Sequence, residues 1–163
     1  MEEGTYDIAQ ICLNRHIINK TYESIPKYSK EYCDRCGEKT INQCPNCKKS
    51  IRGFLWPGIA TFEHQEYVLP LYCDACGDPF PWIETKINAA MELSKEAEIL
   101  SEVESIELKE SIHNIITDSP KTQLGAIKFK KIMIKLGRET ATAVRDIIVD
   151  IASETAKKII MDK

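Results

Sequence analysis

The sequence predicts an α+β protein, a small cysteine-rich module of short β-hairpins followed by an α-helical region. Three observations carry this. All seven cysteines lie at or before Cys76. Six of the seven prolines and five of the seven glycines precede residue 86. From Lys86 onward isoleucines and leucines recur at the three- and four-residue spacing of amphipathic helices. The expected modules are 1–85 and 86–163.

Composition sets outer bounds. The 163 residues are 29% charged and 43% hydrophobic, ordinary for a folded domain and wrong for a disordered one. A formal net charge of -3 argues against a body coated in positive charge for nucleic acid. No apolar run approaches the roughly 18 residues that span a bilayer. The stretch "MEEGTYDIAQ" is acidic where a secretory leader is basic and then apolar. The expected compartment is the cytoplasm, where thiols stay reduced and paired cysteines usually mean metal.

Within the first module, three C-x2-C pairs stand out: Cys33 with Cys36, Cys44 with Cys47, and Cys73 with Cys76. Cys12 remains, and His16 follows it by four positions in "CLNRH". Seven cysteines and one histidine make eight ligands, the number two tetrahedral ions require. Two residues between thiolates allow a tight turn to aim both sulfurs at one cation, with zinc–sulfur bonds near ~2.3 Å. Gly37 and Gly77 each follow a second cysteine, where a left-handed residue closes such a turn. Two zinc ions are therefore expected. Sequential pairing joins Cys12, His16, Cys33 and Cys36 in one site and Cys44, Cys47, Cys73 and Cys76 in the other. An interleaved, cross-braced pairing is the alternative, and iron–sulfur ligation fits less well. His64 and His113 lack such partners and read as ordinary polar side chains. With seven thiolates and two divalent ions the formal charge moves to about -6.

Catalysis needs an open coordination position and a general base. Four protein ligands per ion leave no such vacancy. "EHQEYVLPLYCDAC" places His64 and Glu66 before a C-x2-C pair, in faint likeness to the zinc deaminases. Only six residues separate Glu66 from Cys73, and Cys44 with Cys47 already complete that site, so the deaminase reading is rejected. No P-loop, Rossmann or G-x-S-x-G pattern occurs. The expectation is a protein that is not an enzyme; a zinc-dependent hydrolase is the residual enzymatic reading.

Between Cys47 and Cys73 lie Phe54, Trp56, Phe62, Tyr67 and Tyr72, and "DPFPW" adds Phe80 and Trp82. These aromatics are either the small core of the second ribbon or, around Trp56-Pro57-Gly58, an exposed anchor for a partner. Lys48, Lys49 and Arg52 flank the segment as phosphate-binding groups would, so with Trp56 they form the candidate nucleic-acid surface.

In the second module, Ile87, Ala90, Met91, Ala97 and Leu100 mark a first helix from about Ile83. Leu108, Ile112, Ile115 and Ile116 mark a second, with Ser105 as candidate N-cap. Asp118-Ser119-Pro120 reads as a stop and a restart, with Ser119 as cap and Pro120 at the first helical position. The stretch 121–161 would run about 60 Å as one helix, so it is expected to bend near Gly137 and to support self-association. Residues 92–110 hold seven glutamates against Lys95 and Lys109, while 121–138 hold six basic residues and no acid. The two runs are either solvated faces or antiparallel helices that complement one another, within a chain or between chains, or the basic run meets an acidic lipid surface. The balanced terminal part lacks tryptophan and fits an interfacial membrane helix poorly.

"YDIAQICLNRH", "YCDRCGEKTINQCPNC", "IRG" and "YCDACGDPFPW" together resemble a bacterial family of small double zinc-ribbon proteins of unknown function. The resemblance spans roughly the first 85 residues, with weaker likeness in "DSPKTQ" and "IASETAKKI". It implies a bacterial cytoplasmic origin, carries over the same eight ligands and implies no activity. Arg15 stands where a small knuckle residue such as glycine is expected. The functional expectation is a non-catalytic zinc-binding adaptor or accessory protein that contacts protein partners and self-associates through its C-terminal helices. A zinc-ribbon nucleic-acid-binding protein is the alternative.

Overall fold

The computed structural model describes residues 4–57 and 66–162. Gly58, Phe62 and His64 lie outside them. The chain divides into two compact units, Met1–Trp82 and Ile83–Lys163. The first contains short strands and knuckles and the second is helical, a mixed α+β composition.

In the first unit, β1 (Thr5–Ile8) pairs antiparallel with β5 (Arg52–Trp56). Gly53 is required there, because a Cβ would meet Lys20 O at 2.5 Å and Ile8 C at 2.6 Å. A second sheet has β2 (Gln10–Cys12) between β3 (Ile17–Asn19) and β4 (Thr40–Ile41). The strands are short, two to five residues each. A unit this poor in apolar residues needs a staple beyond its core. That core holds Ala9, Ile11, Ile51, Leu69, Phe80 and Trp82. Phe80 and Trp82 stack at 4.7 Å, and Trp82 Nε1 donates to Pro70 O.

The aromatics therefore divide between buried and exposed positions. Phe80 and Trp82 are core, whereas Trp56 is 40% exposed. Its indole is nonetheless tethered, edge-on to Phe54 at 5.0 Å and donating to Asp7 Oδ2 at 2.9 Å.

α1 (Pro81–Glu96) starts two residues earlier than periodicity suggests; the second unit begins within it, at Ile83, and continues through α2 (Glu102–Ile116) and α3 (Thr122–Lys135). It ends with α4 (Arg138–Val149) and α5 (Glu154–Met161). Ser101, rather than the expected Ser105, caps α2. Its hydroxyl accepts from Glu104 N, and the Glu104 carboxylate accepts from Ser101 N, forming a capping box. Ser105 lies inside the first turn. α3 starts two residues after the expected Pro120, with Lys121 rather than Ser119 at its N-cap position. Ser119 and Pro120 form the turn ahead of it, and Ser119 Oγ accepts from Lys121 N.

The stretch 121–161 breaks twice. Gly137 has φ +79° and ψ 158°, a backbone conformation open essentially only to glycine, and it separates α3 from the helix that follows. The second break is at Asp150–Ser153, where Ser153 N donates to Ile115 O and Ser153 Oγ caps α5. α5 then packs against α3, so these residues form a local core rather than a projecting rod.

α2 and α3 form an antiparallel hairpin. Lys128 bridges Glu107 at 3.3 Å, and Lys135 pairs with Glu104. The acidic and basic runs thus complement one another within the chain. Gly125 permits the close approach: a Cβ would sit 2.6 Å from Asn114 Cβ. Leu108, Ile112, Ile115, Ala126, Phe129 and Val144 are buried in this unit.

Candidate metal centres

Each knuckle is built the same way. Cys33 N donates to Glu38 O, Cys44 N to Lys49 O and Cys73 N to Asp78 O, all at 2.8 Å. The residue after each second cysteine donates back to the first, as Gly37 N does to Cys33 O and Gly77 N to Cys73 O. Single β-bridges close the three loops: Tyr32 to Lys39, Gln43 to Ser50 and Tyr72 to Pro79. Gly37 and Gly77 have φ of +74° and +78°. Lys48 occupies the equivalent position at +65°, and Arg15 adopts +73° in the Cys12–His16 loop. The backbone requirement that made glycine the expected residue is present at Arg15, but a larger side chain meets it.

These turns gather the donor atoms in sequential pairing. Cys12, His16, Cys33 and Cys36 form one group and Cys44, Cys47, Cys73 and Cys76 the other, all donor atoms within 4.8 Å of one another in each. Cys12 Sγ lies 3.8 Å from Cys36 Sγ, Cys44 Sγ 3.7 Å from Cys76 Sγ, and Cys47 Sγ 3.6 Å from Cys73 Sγ. His16 presents Nδ1, at 3.4 Å from Cys12 Sγ and 3.5 Å from Cys33 Sγ.

A disulfide brings sulfurs to about 2.05 Å, so these separations are not bonds. A regular tetrahedron with zinc–sulfur bonds of ~2.3 Å has sulfur–sulfur edges of about 3.8 Å, and a mixed sulfur–nitrogen edge is slightly shorter. The observed edges match that figure, so both groups fit a metal such as zinc. Each would supply four soft or borderline donors.

The backbone also favours thiolates. The N–H of Glu38 is the largest influence holding Cys36 down to about 6, and those of Cys76 and Ala75 hold Cys73 at about 7. Burial pushes Cys12 up to about 11 in the absence of a cation. A bound cation would therefore displace protons from the more basic thiols. Cys12, Cys33, Cys44 and Cys73 are buried, while Cys36 and Cys47 face solvent.

The candidate nucleic-acid residues are engaged locally. Lys48 Nζ donates to Pro45 O. Lys49 and Arg52 both face Asp74, at 3.7 and 2.5 Å, and the Arg52 guanidinium also lies over the Tyr6 ring. Asp74 follows the first cysteine of its knuckle, as Asp34 does in the other C-D-x-C pair, where it meets Lys30 at 2.5 Å. That repeat is visible in the sequence, but its charge-balancing role is not.

Asp7 carries no sequence signal at all. Its buried carboxylate accepts from Ile8 N, Glu23 N and Trp56 Nε1. Burial opposes its charge, yet hydrogen bonds from Ser24, Trp56, Ile8 and Glu23 prevail and hold it below the usual carboxylate range. Among the described residues, no helix is long and apolar enough to cross a membrane.

No curated protein and no solved structure matches the chain. A family profile does, over residues 5–160, and so includes the helical unit as well as the ribbons. With the match covering nearly the whole sequence, this chain belongs to the family described as uncharacterized protein conserved in bacteria (DUF2321).

Proposed function

We propose that the chain is a non-catalytic zinc-binding adaptor or accessory protein of the bacterial cytoplasm, acting through protein–protein contacts and associating with itself through its helical unit. The observation that carries this reading is the spacing of the eight donors, which suits two ions each held by four side chains. An ion closed in this way has no position for a substrate or an activated water, so its contribution is structural. The ribbons then serve as a rigid platform rather than a reaction centre. The pairing of Lys49 and Arg52 with Asp74 counts against a free basic strip, and the nucleic-acid reading is set second for that reason.

Elemental analysis combined with X-ray absorption tests the metal assignment. The expected result is two zinc ions per chain with only sulfur and nitrogen donors. An oxygen donor on either ion overturns the closed-site reading and returns the hydrolase. Affinity capture from the native host tests the adaptor role, with a stoichiometric protein partner expected. Salt-sensitive capture of nucleic acid, lost on reversing the charges of Lys48, Lys49 and Arg52, overturns it in favour of the alternative.

A further inference from the structure

The α2–α3 hairpin carries the same spacing twice with opposite charge. In α2, Val103, Ile106, Glu107 and Glu110 stand at positions i, i+3, i+4 and i+7. In α3, Leu124, Ile127, Lys128 and Lys131 stand at the same intervals. Each set forms one stripe along its helix. The i+4 members, Glu107 and Lys128, bridge each other across the hairpin, which places both stripes on the same side of it. The apolar members are not core: Val103 is 74% exposed, Ile106 57%, Leu124 52% and Ile127 48%. Glu110 and Lys131 are exposed as well. A surface that is apolar and acidic on one helix, apolar and basic on its antiparallel neighbour, is complementary to itself.

We infer that this face is a homodimer interface, with α2 of one chain lying on α3 of a second copy about a two-fold axis parallel to the helices. That axis sets acid against base at both crossings, whereas an axis perpendicular to the helices would set Glu110 against Glu110 and Lys131 against Lys131. The same four exposed apolar side chains then pack across the dyad from both copies. The inference rests on the self-associating adaptor reading above and names the surface. Two helices of 14 and 15 residues, each about 22 Å long and about 10 Å apart, offer on the order of 400 Å² per copy. This is below the standard interface size, so the dimer is weak and concentration-dependent.

Sedimentation velocity on the zinc-loaded full chain over a concentration series is the test. The wild-type mass should rise toward that of two chains. Glu110→Lys and Lys131→Glu should each weaken association at least ~10-fold, because like charges then meet twice across the dyad. An equimolar mixture of the two variants should restore it, as should the double variant, with circular dichroism verifying unchanged helix content. Single variants that associate like wild type, or a loss that mixing does not restore, overturn the interface. A chain that stays monomeric yet co-sediments with phosphatidylserine vesicles overturns it in favour of an anionic lipid surface. Zinc content and captured host partners are measured separately, so failure of this interface is distinguishable from failure of the adaptor reading.

Discussion

Lys48 carries a conformational cost that its two counterparts avoid. It closes the second knuckle at φ +65°, where Gly37 and Gly77 close theirs, and that backbone costs an L-residue roughly 1–2 kcal/mol relative to glycine. Part of the cost is offset by the hydrogen bond from Lys48 Nζ to Pro45 O. Lys48→Gly should therefore stabilise the loaded first unit by up to about 1 kcal/mol. Thermal unfolding at saturating zinc checks this; a lowered midpoint contradicts it. The same reasoning explains what is legible at this scale. A C-x2-C pair is a local object, closed by hydrogen bonds spanning four and five residues, so sequence spacing suffices to find it. Asp7 is invisible because its donors come from positions 8, 23, 24 and 56, and such a convergence leaves no pattern along the chain.

At the scale of the element, the hairpin of α2 and α3 is held by close approach and by charge. Gly125→Ala should improve intrinsic helix propensity by about 1 kcal/mol, yet the added Cβ would lie 2.6 Å from Asn114 Cβ and 3.1 Å from Ser111 O. The clash prevails, with a net loss of roughly 1–3 kcal/mol measurable by denaturant unfolding of the helical signal. Glu104 gives the hairpin an acid dependence. Lys135 first, and then Ser101 N–H, hold its carboxyl down to about 2, from an ordinary 4.5. A depressed carboxylate contributes stability that is complete above 4.5 and is lost as the pH falls toward 2. The helical unit should weaken across that window, and Glu104→Gln should flatten the dependence in acid-titrated thermal melts. A variant with the wild-type slope contradicts this. The acidic and basic runs are plain in the sequence; their pairing within one chain is not, since composition carries no information about which helix lies beside which.

At the scale of the molecule, the two units draw their stability from different sources. The first has little apolar core, so two ions, each worth on the order of 10 kcal/mol of apparent binding free energy, would dominate its folding. The second has a continuous interior of isoleucine, leucine, valine and phenylalanine and needs no metal. Complete chelation should abolish the near-ultraviolet signal and protease resistance of residues 4–57 and 66–82 while leaving most of the helical circular dichroism. An unchanged digestion pattern after zinc removal contradicts this. The stretch 121–161 departs from its sequence pattern at the same scale. Its break at Gly137 is written in the glycine, but the turn at Asp150–Ser153 is not signalled by any glycine or proline. Ser153 marks that turn by capping α5 and by donating to a carbonyl in α2, and only the second of those contacts explains why the chain reverses there.

The sequence by itself determined the mixed α+β class, the eight candidate metal donors and the helical character of the second half. Each follows from short-range spacing or periodicity, which the local backbone enforces. Tertiary structure alone decided which knuckles share a group, which nitrogen His16 presents, where the acidic helix lies and which apolar side chains stay outside. These depend on contacts between residues distant along the chain, where many arrangements satisfy the same local pattern and only packing chooses among them.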